Sequence, residues 1–233
     1  MGEQKEKLWN SNYLKVWCSN FLMNFAFMLL TPLLPLYLSE TYGADKQMIG
    51  LVLSGYAVAA LCIRPFSGFF VDSFPRKTVL LLFYFLTAAF FGGYLVAGSL
   101  TMFAIFRTLH GAPFGATGVS LSTVAIDVLP PSRRAEGIGY YGLSNNIATA
   151  ISPGVAMFLF AHYHSYDMLF ALSLVCSLAG LIVNATLKLK DRELVKEKQP
   201  ISFDRFLMLK GWAHFIVIFT VAVAYSILST YVA

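Results

Sequence analysis

The sequence predicts an all-α polytopic membrane protein, and three observations carry that prediction. The chain has 233 residues, of which 58% are hydrophobic and only 12% are charged, about half the charged share of a typical soluble domain. Its apolar residues fall into long runs, each of the length that crosses a ~30 Å hydrocarbon core. These runs do not alternate with polar residues as the strands of a membrane barrel do. A soluble enzyme, a nucleic-acid-binding protein and a disordered chain are therefore excluded.

Seven apolar segments are predicted to cross the bilayer as helices, because a helix satisfies its own backbone hydrogen bonds in lipid. They cover residues 14–38, 48–71, 78–97, 100–128, 137–161, 166–187 and 212–232. The first run is too long for the core of a signal peptide, so we expect it to remain in the mature protein.

The segments predict four parts of the chain. These are a tail over 1–13, a six-helix transmembrane half over 14–187, a charged linker over 188–211 and a seventh span over 212–233. The sequence stops inside the seventh span, from which we expect either a fragment of a longer bundle or a truncated reading frame.

The positions of the basic residues predict the orientation. Fourteen of the 17 Lys and Arg residues fall on the side that carries the N-terminal tail and the linker, whereas the opposite side receives only Lys46. The remaining two, Arg64 and Arg107, lie inside spans. By the positive-inside rule, the N-terminus and the linker are cytoplasmic. We expect a multi-pass protein of the cell membrane, in a bacterium the inner membrane.

No metal site or cofactor site is expected. The three cysteines, Cys18, Cys62 and Cys176, lie inside apolar runs, where they are typical of small buried side chains. No phosphate-binding loop of the form G-x-x-x-x-G-K-[ST] occurs, which argues against a nucleotide-driven pump within this chain.

The cytoplasmic end of the second span carries the most informative stretch. Arg64, Gly68 and Asp72 follow one another at intervals of four residues and so share one helix face. Gly68 would let another helix approach closely, and Asp72 would lie at the water boundary. Arg76 and Lys77 follow. The alternative is that these are ordinary positive-inside residues beside a solvated helix end.

Arg107 in the fourth span lies roughly 10 Å inside the outer surface at 1.5 Å per residue. An arginine in the bilayer centre costs at least ~2.5 kcal/mol, so we expect this one to face protein or a water-filled cavity. The alternative is that its side chain extends to the external interface. His110 is expected to pack between helices rather than to carry protons. Gly111, Gly115 and Gly118 predict a face for tight packing.

The connection between the fourth and fifth spans is rich in charge. Two prolines, Pro130 and Pro131, end the fourth span. We expect its charged residues to pair with those of the second-span stretch on the same side of the membrane. The residues concerned are Asp127, Arg133, Arg134 and Glu136 on one part, and Asp72, Arg76 and Lys77 on the other.

Polar side chains inside two spans allow two interpretations, as contacts between helices or as the lining of a pathway. They are Asn24 in the first span and Ser144, Asn145, Asn146, Thr149 and Ser152 in the fifth. Pro153, followed by Gly154, removes a helical hydrogen bond and predicts a kink.

Two stretches resemble signatures of the major facilitator superfamily. Gly68 to Lys77 is similar to the family's loop signature G-x-x-x-D-x-x-G-R-K, with Pro75 in place of its second glycine. Arg107, followed by Gly111 and Gly115, resembles the fourth-span signature.

A third stretch is similar to the fifth-span antiporter signature. Ser152-Pro153 stands where that signature has Gly-Pro, and Ala148 and Ala156 stand at its small-residue positions. The connection between the fourth and fifth spans is also family-like, so the resemblance covers the chain up to about residue 187.

The resemblance implies a fold and a set of roles. The fold is a twelve-span bundle of two halves, each with 3+3 inverted repeats around an alternating-access cavity, so this chain is the N-terminal half with a seventh span. The implied gating residues are Gly68, Asp72, Arg76, Lys77, Arg134 and Glu136. The implied coupling or cavity residues are Arg64, Arg107, Asn24, Asn145 and Asn146.

The implied function is secondary transport of a small solute, with proton-coupled efflux of the drug or sugar type as the leading hypothesis. A facilitator or symporter of the same fold is the first alternative, because spans one to six carry no acidic residue near their centres. A membrane-embedded enzyme and a non-transporting assembly partner are further alternatives. The expected partners are a small-molecule substrate, protons, the lipid bilayer and a second six-span half.

Overall fold

A computed structural model describes residues 7–189, and these fold into seven α-helices and one short 3₁₀ helix. The helices are α1 (Ser11–Leu30), α2 (Leu34–Tyr42), α3 (Lys46–Ser73), α4 (Arg76–Leu95), α5 (Leu100–Val128), α6 (Arg134–Tyr163) and α7 (Tyr166–Ala185), with the 3₁₀ helix over Pro131–Arg133. Most of the predicted linker, residues 190–211, and the seventh span over 212–233 lie outside the described residues.

Polar side chains set the beginnings of four helices by accepting a backbone N–H of the first turn. Asn10 accepts from Tyr13 before α1, and Asp45 does the same for α3. Ser99 and Ser165 cap α5 and α7. The predicted bounds of α5, 100–128, are those of the structure, and other predicted spans differ from their helices by up to three residues at most ends.

The first span departs from its prediction as one helix over 14–38, which is wrong. The α-helix ends at Leu30, and a turn over residues 31–33 separates it from α2. Pro32 lies in the turn, and Pro35 lies in the first turn of α2, where a missing N–H costs least. The closely spaced prolines therefore divide the span into two helices. Gly43, with φ of 61°, ends α2 in the left-handed conformation that favours glycine.

Five helical segments of the described chain are long and apolar enough to cross a membrane. They are Ser11–Leu30, Lys46–Arg64, Arg76–Leu95, Pro131–Tyr163 and Tyr166–Ala185. Helix α5, with 29 residues, is also long enough, but Arg107, His110 and its glycines and hydroxyl groups lower its mean hydropathy. Six spans were predicted in this range. The one that is missing from the five segments above is α5, and its length supports it although its mean hydropathy does not.

The helices pack in a pattern that repeats after three spans. In the first triad (α1 with α2, then α3, then α4), the second span packs on the first span of the other triad, α5. In the second triad (α5, α6, α7), the second span likewise packs on α1. The third spans follow the same rule, since α4 packs on α5, α7 packs on α1, and α4 and α7 pack on each other. A triad crosses the bilayer an odd number of times, so the two triads run in opposite senses, as in 3+3 inverted repeats.

The interior contains two main clusters of buried side chains. One is rich in aromatic residues and includes Tyr37, Phe91, Tyr94, Phe103 and Phe170. The other is mainly aliphatic and includes Val16, Leu80, Tyr84, Leu121 and Val124. Because lipid is as apolar as these side chains, their packing stabilises the bundle through close van der Waals contact rather than through removal from water.

Candidate functional site

Helices α3 and α5 approach each other through glycines. A Cβ added to Gly111 would overlap the carbonyl oxygen of Tyr56, and one added to Gly115 would lie 2.7 Å from the carbonyl oxygen of Ala60. This confirms close packing at two of the three predicted glycines of α5. The prediction is wrong for Gly118 within the described residues, because nothing lies within 4 Å of a Cβ there.

The same test finds no neighbour of Gly68 among residues 7–189, so a close approach by another helix at this position stays a prediction. No described atom lies within 4 Å of a Cβ at this position, so none of the described helices makes the predicted close approach. The backbone groups of α3 that the glycines of α5 approach belong to Tyr56 and Ala60, eight or more positions before Gly68.

Arg107 is buried beside this contact, with 3% of its surface exposed. Its Nη1 donates a hydrogen bond to Tyr94 Oη at 3.2 Å. Its Cζ lies 4.3 Å from the ring centre of Tyr56 and 5.0 Å from that of Phe27. The guanidinium therefore faces protein, and the alternative of a side chain extended to the external interface is wrong.

The charge of Arg107 has no carboxylate partner among residues 7–189. The six Asp and Glu residues of this range lie at helix ends, and the ion pairs they form involve Arg76 and Arg133. Two aromatic faces and one hydroxyl surround the guanidinium instead; a desolvated cation over an aromatic ring is stabilised by about 2 kcal/mol.

His110, one turn along α5, is fully buried in an aromatic box. Its Nδ1 lies 2.7 Å from Tyr94 Oη. The ring of Phe90 stacks on the imidazole at 5.7 Å, and Phe91 meets it edge-on at 4.7 Å. Three buried polar atoms of this cluster have no hydrogen-bond partner in the described part of the chain: Arg107 Nε, His110 Nε2 and Tyr56 Oη. Sequence reasoning missed Tyr94 and Tyr56, although hydroxyl-bearing rings within apolar spans are a usable signal.

A second cluster of charge lies at the end of α3. Arg76 pairs with Asp127 at the end of α5, and its Nη2 lies 3.7 Å from Asp72 Oδ1. The Arg76 side chain is 16% exposed, whereas that of Asp72 is 73% exposed. Arg76 is thus held between the ends of two helices, and the Asp72 carboxylate remains open to further contact.

The other predicted gating residues are placed differently. Glu136 pairs with Arg133 of its own connection at 2.8 Å, rather than with the second-span stretch. Glu136 follows Arg133 by three positions, so the local partner lies within easier reach than the second-span stretch. Arg134 is exposed. Lys77 donates to the carbonyl oxygen of Leu187 at 2.8 Å, beyond the end of α7.

Lys77 belongs to a clasp around the end of α7, which we define as Asn12, Lys15 and Lys77. Lys15 Nζ donates to the carbonyl oxygen of Thr186 at 2.9 Å, and Asn12 Nδ2 to that of Lys188 at 2.8 Å. These carbonyl groups lie at and just beyond the end of α7, and cations are favoured at a helix C-terminus. The clasp therefore fixes the point at which the chain leaves α7.

Amide side chains join α1 to α6. Asn20 Nδ2 donates to Ser144 Oγ at 2.7 Å and to Asn145 Oδ1 at 2.6 Å, and Asn24 Nδ2 donates to Asn145 Oδ1 at 2.8 Å. Tyr141 Oη donates to Asn20 Oδ1 at 2.9 Å. In this structure, the predicted Asn24 and Asn145 therefore connect helices. Asn20 and Tyr141 were not predicted: Asn20 lies outside the polar stripe and the signatures, and Tyr141 lies in the family-like connection but was given no role of its own.

The remaining predicted residues lie outside these clusters. Thr149 and Ser152 donate to carbonyl oxygens of their own helix, whereas Asn146 and Arg64 are exposed. Pro153 and Gly154 lie within α6, which continues as a helix to Tyr163.

Comparison with known proteins finds a resistance protein and an antiporter among the relatives of this chain. The quinolone resistance protein NorA of Staphylococcus aureus (strain MRSA252) is 24% identical over 151 residues, which are 65% of this chain and 39% of that protein. A Na(+), Li(+), K(+)/H(+) antiporter of Planococcus maritimus is 26% identical over 185 residues, 77% of this chain and 43% of that protein. This chain thus spans about two fifths of the length of these relatives.

Solved structures share the fold. A peptide transporter POT in complex with sulfate gives a TM-score of 0.71 at 16% identity, over 98% of this chain and 47% of that one. The human organic anion transporter MFSD10 gives 0.62 at 20% identity, over 76% and 47% of the two chains.

A profile of the Major Facilitator Superfamily matches residues 16–233, which is most of the chain. The apolar helices, the triad packing and the signature residues agree with that match. The family also indicates a transporter rather than an enzyme. This multi-pass membrane chain belongs to the Major Facilitator Superfamily.

Proposed function

We propose that this chain forms the N-terminal half of a secondary transporter that exports a small solute from the cell in exchange for protons. The relatives named above support this assignment, since one confers quinolone resistance and the other exchanges alkali cations for protons. A second six-span half would complete the pathway by alternating access. We further propose that the protein resides in the cell membrane with its N-terminus in the cytoplasm, on the side of the clasp.

The observation that carries the proposal is the cluster of Asp72, Arg76 and Asp127. Arg76 is held mainly by Asp127, while Asp72 is 73% exposed and 3.7 Å from Arg76. In the outward-facing form, Asp72 contacts the second half, and separation of the halves opens the cavity inward. Single ion pairs of this exposure contribute under ~1 kcal/mol, a size suited to an equilibrium that must be shifted in both directions.

We assign Arg107 to the coupling of proton and solute movement. A proton carrier in the membrane requires a titratable acid, and the carboxylates of residues 7–189 lie at helix ends. We therefore expect the acid in the second half, where the guanidinium would stabilise its ionised form.

The polar residues divide between two roles in this proposal. Asn24 and Asn145 hold α1 against α6, since they hydrogen-bond to each other. Asn146 and Arg64 are exposed and remain the cavity residues of the proposal.

The test is proton exchange in everted membrane vesicles that contain the full-length protein. An imposed pH gradient, reported by a fluorescent dye, should dissipate when a quinolone or a Na⁺, Li⁺ or K⁺ salt is added. Asp72→Asn should lower this exchange roughly tenfold with unchanged membrane insertion. Asp167→Asn, at the opposite end of the bundle, is the matched control and should keep full exchange. Full exchange by Asp72→Asn would remove its gating role.

A facilitator or symporter is the second candidate, and the absence of a mid-span carboxylate from residues 7–189 favours it. Solute flux without a pH gradient, at the same rate as with one, would establish a facilitator. Solute and protons that move in the same direction would establish a symporter.

A further inference from the structure

We propose that Tyr94 and His110 are positioning residues for Arg107 and that His110 acts as a neutral hydrogen-bond acceptor, not as a proton carrier. This inference rests on the proposed role of Arg107 in coupling. Tyr94 lies on α4 and His110 on α5, and neither is one of the signature residues named above.

The first step is the direction of the hydrogen bonds. A guanidinium can only donate, so Tyr94 Oη accepts from Arg107 Nη1. The single hydrogen of the Tyr94 hydroxyl then has one described acceptor within reach, His110 Nδ1 at 2.7 Å. If Nδ1 carried the proton instead, the Tyr94 hydrogen would have no acceptor among the described residues. More polar groups have hydrogen-bond partners when Arg107 donates to Tyr94 and Tyr94 donates to His110. The three residues then form a hydrogen-bond chain.

The second step is the charge on His110. With Nδ1 as acceptor, the neutral ring carries its proton on Nε2, which has no partner in the described part of the chain. A protonated ring would place a second cation beside Arg107 in a fully buried site. The groups that face the imidazole are Tyr94 from α4, Tyr56 from α3, and Arg107 on α5 itself. None of these supplies a negative charge.

The third step is what the chain does to Arg107. Tyr94 fixes Nη1 from one side, while the rings of Tyr56 and Phe27 contact the guanidinium at 4.3 and 5.0 Å. Because a hydrogen bond to a polarised hydroxyl is stronger when that hydroxyl donates in turn, His110 strengthens the Tyr94 contact. The two residues thus hold the guanidinium of Arg107 in one position. From that position it can meet the acid that we propose for the second half.

The experiment uses the full-length protein in proteoliposomes, with exchange of protons for a quinolone or for Na⁺, Li⁺ or K⁺ as the readout. Tyr94→Phe removes a hydrogen bond to a charged group and should lower the maximal rate roughly tenfold. His110→Leu removes only the neutral acceptor of Tyr94 and should lower the rate by a smaller factor, roughly threefold. The double variant should lose no more than Tyr94→Phe alone, because both residues act in one chain. His110→Asn places an oxygen acceptor at the Nδ1 position and should restore the rate with an unchanged pH profile.

The outcomes separate the two proposals. A shifted pH profile or lost coupling in His110→Asn would make His110 a proton carrier and overturn the inference. Full rates in both Tyr94→Phe and His110→Leu, with Arg107→Ala inactive, would overturn it while leaving the role of Arg107 intact. Full activity of Arg107→Ala would remove the coupling role itself. If His110→Leu does not fold, Tyr94→Phe and His110→Asn decide the question.

Discussion

The contact of α3 with α5 and the contact of α1 with α6 occupy equivalent places in the two triads, yet different chemistry holds them. Helices α3 and α5 meet backbone to backbone at Gly111 and Gly115. Helices α1 and α6 meet through a cluster of amides and hydroxyls around Asn20 and Asn145. The same fold position therefore constrains geometry, not residue type.

The two contacts are therefore disrupted by different kinds of substitution. A contact made of small residues fails when volume is added, because the backbones cannot separate without moving the whole helix. A contact made of hydrogen bonds fails when a donor or acceptor is removed, and each such bond in a membrane protein contributes only ~0.6 kcal/mol on average. The buried Arg107 lies beside the glycine contact.

The largest effect is expected for Gly111→Ala. Its new methyl group would overlap the Tyr56 carbonyl oxygen, so the full-length protein should lose roughly 2–3 kcal/mol of stability. Thermal unfolding of the protein purified in detergent measures this loss. The matched control is Gly118→Ala, where no atom of residues 7–189 lies within 4 Å of the added atom. It should be neutral or slightly stabilising, as alanine is in helices. Equal stability of the two variants would refute the close contact.

An intermediate effect is expected for Asn145→Leu, because it removes the acceptor of both Asn20 and Asn24. The loss should be about 1–2 kcal/mol in the same unfolding assay, smaller than that of Gly111→Ala. Asn146→Leu, the exposed neighbour, is the control and should change little. A double-mutant cycle with Asn24→Ala should show positive coupling; strict additivity would contradict the contact.

The smallest effect is expected for Trp17→Phe. The substitution removes the hydrogen bond from Trp17 Nε1 to the Tyr140 carbonyl oxygen at 2.9 Å and leaves a ring to stack on Phe21. We expect a loss of about 0.5 kcal/mol. Trp9→Phe is the control, because Trp9 contributes ring contacts to Tyr13, Trp17 and Tyr140. If Trp17→Phe lost more stability than Asn145→Leu, the aromatic residues would contribute more to the contact of α1 with α6 than the amides do.

Much of the fold could be predicted from the sequence, because span length and charge asymmetry are properties of single segments. The bounds of α5 follow from such local signals, and the charge pattern put Arg76 and Asp127 among the residues expected to pair, as they do. The partners of Arg107 could not be predicted in the same way. Membrane helices are apolar on all sides, so their pattern does not tell which face meets which neighbour. Tyr94 was therefore not predicted, because its contact with Arg107 joins α4 to α5.

The break in the first span escaped prediction for a related reason. Pro32 and Pro35 lie in an apolar run that reads as one span by hydropathy, and a proline can be tolerated inside a membrane helix when neighbours satisfy the freed groups. The turn at residues 31–33 shows that two prolines three residues apart outweigh that tolerance here.

The clasp has a practical bearing on how the protein can be handled. Asn12 and Lys15 reach carbonyl oxygens that lie more than 170 positions away along the chain, so the amino-terminal end and the exit from α7 are one mechanical unit. An affinity tag placed directly before Asn10, or a deletion that reaches Lys15, would disturb the point at which the chain leaves α7.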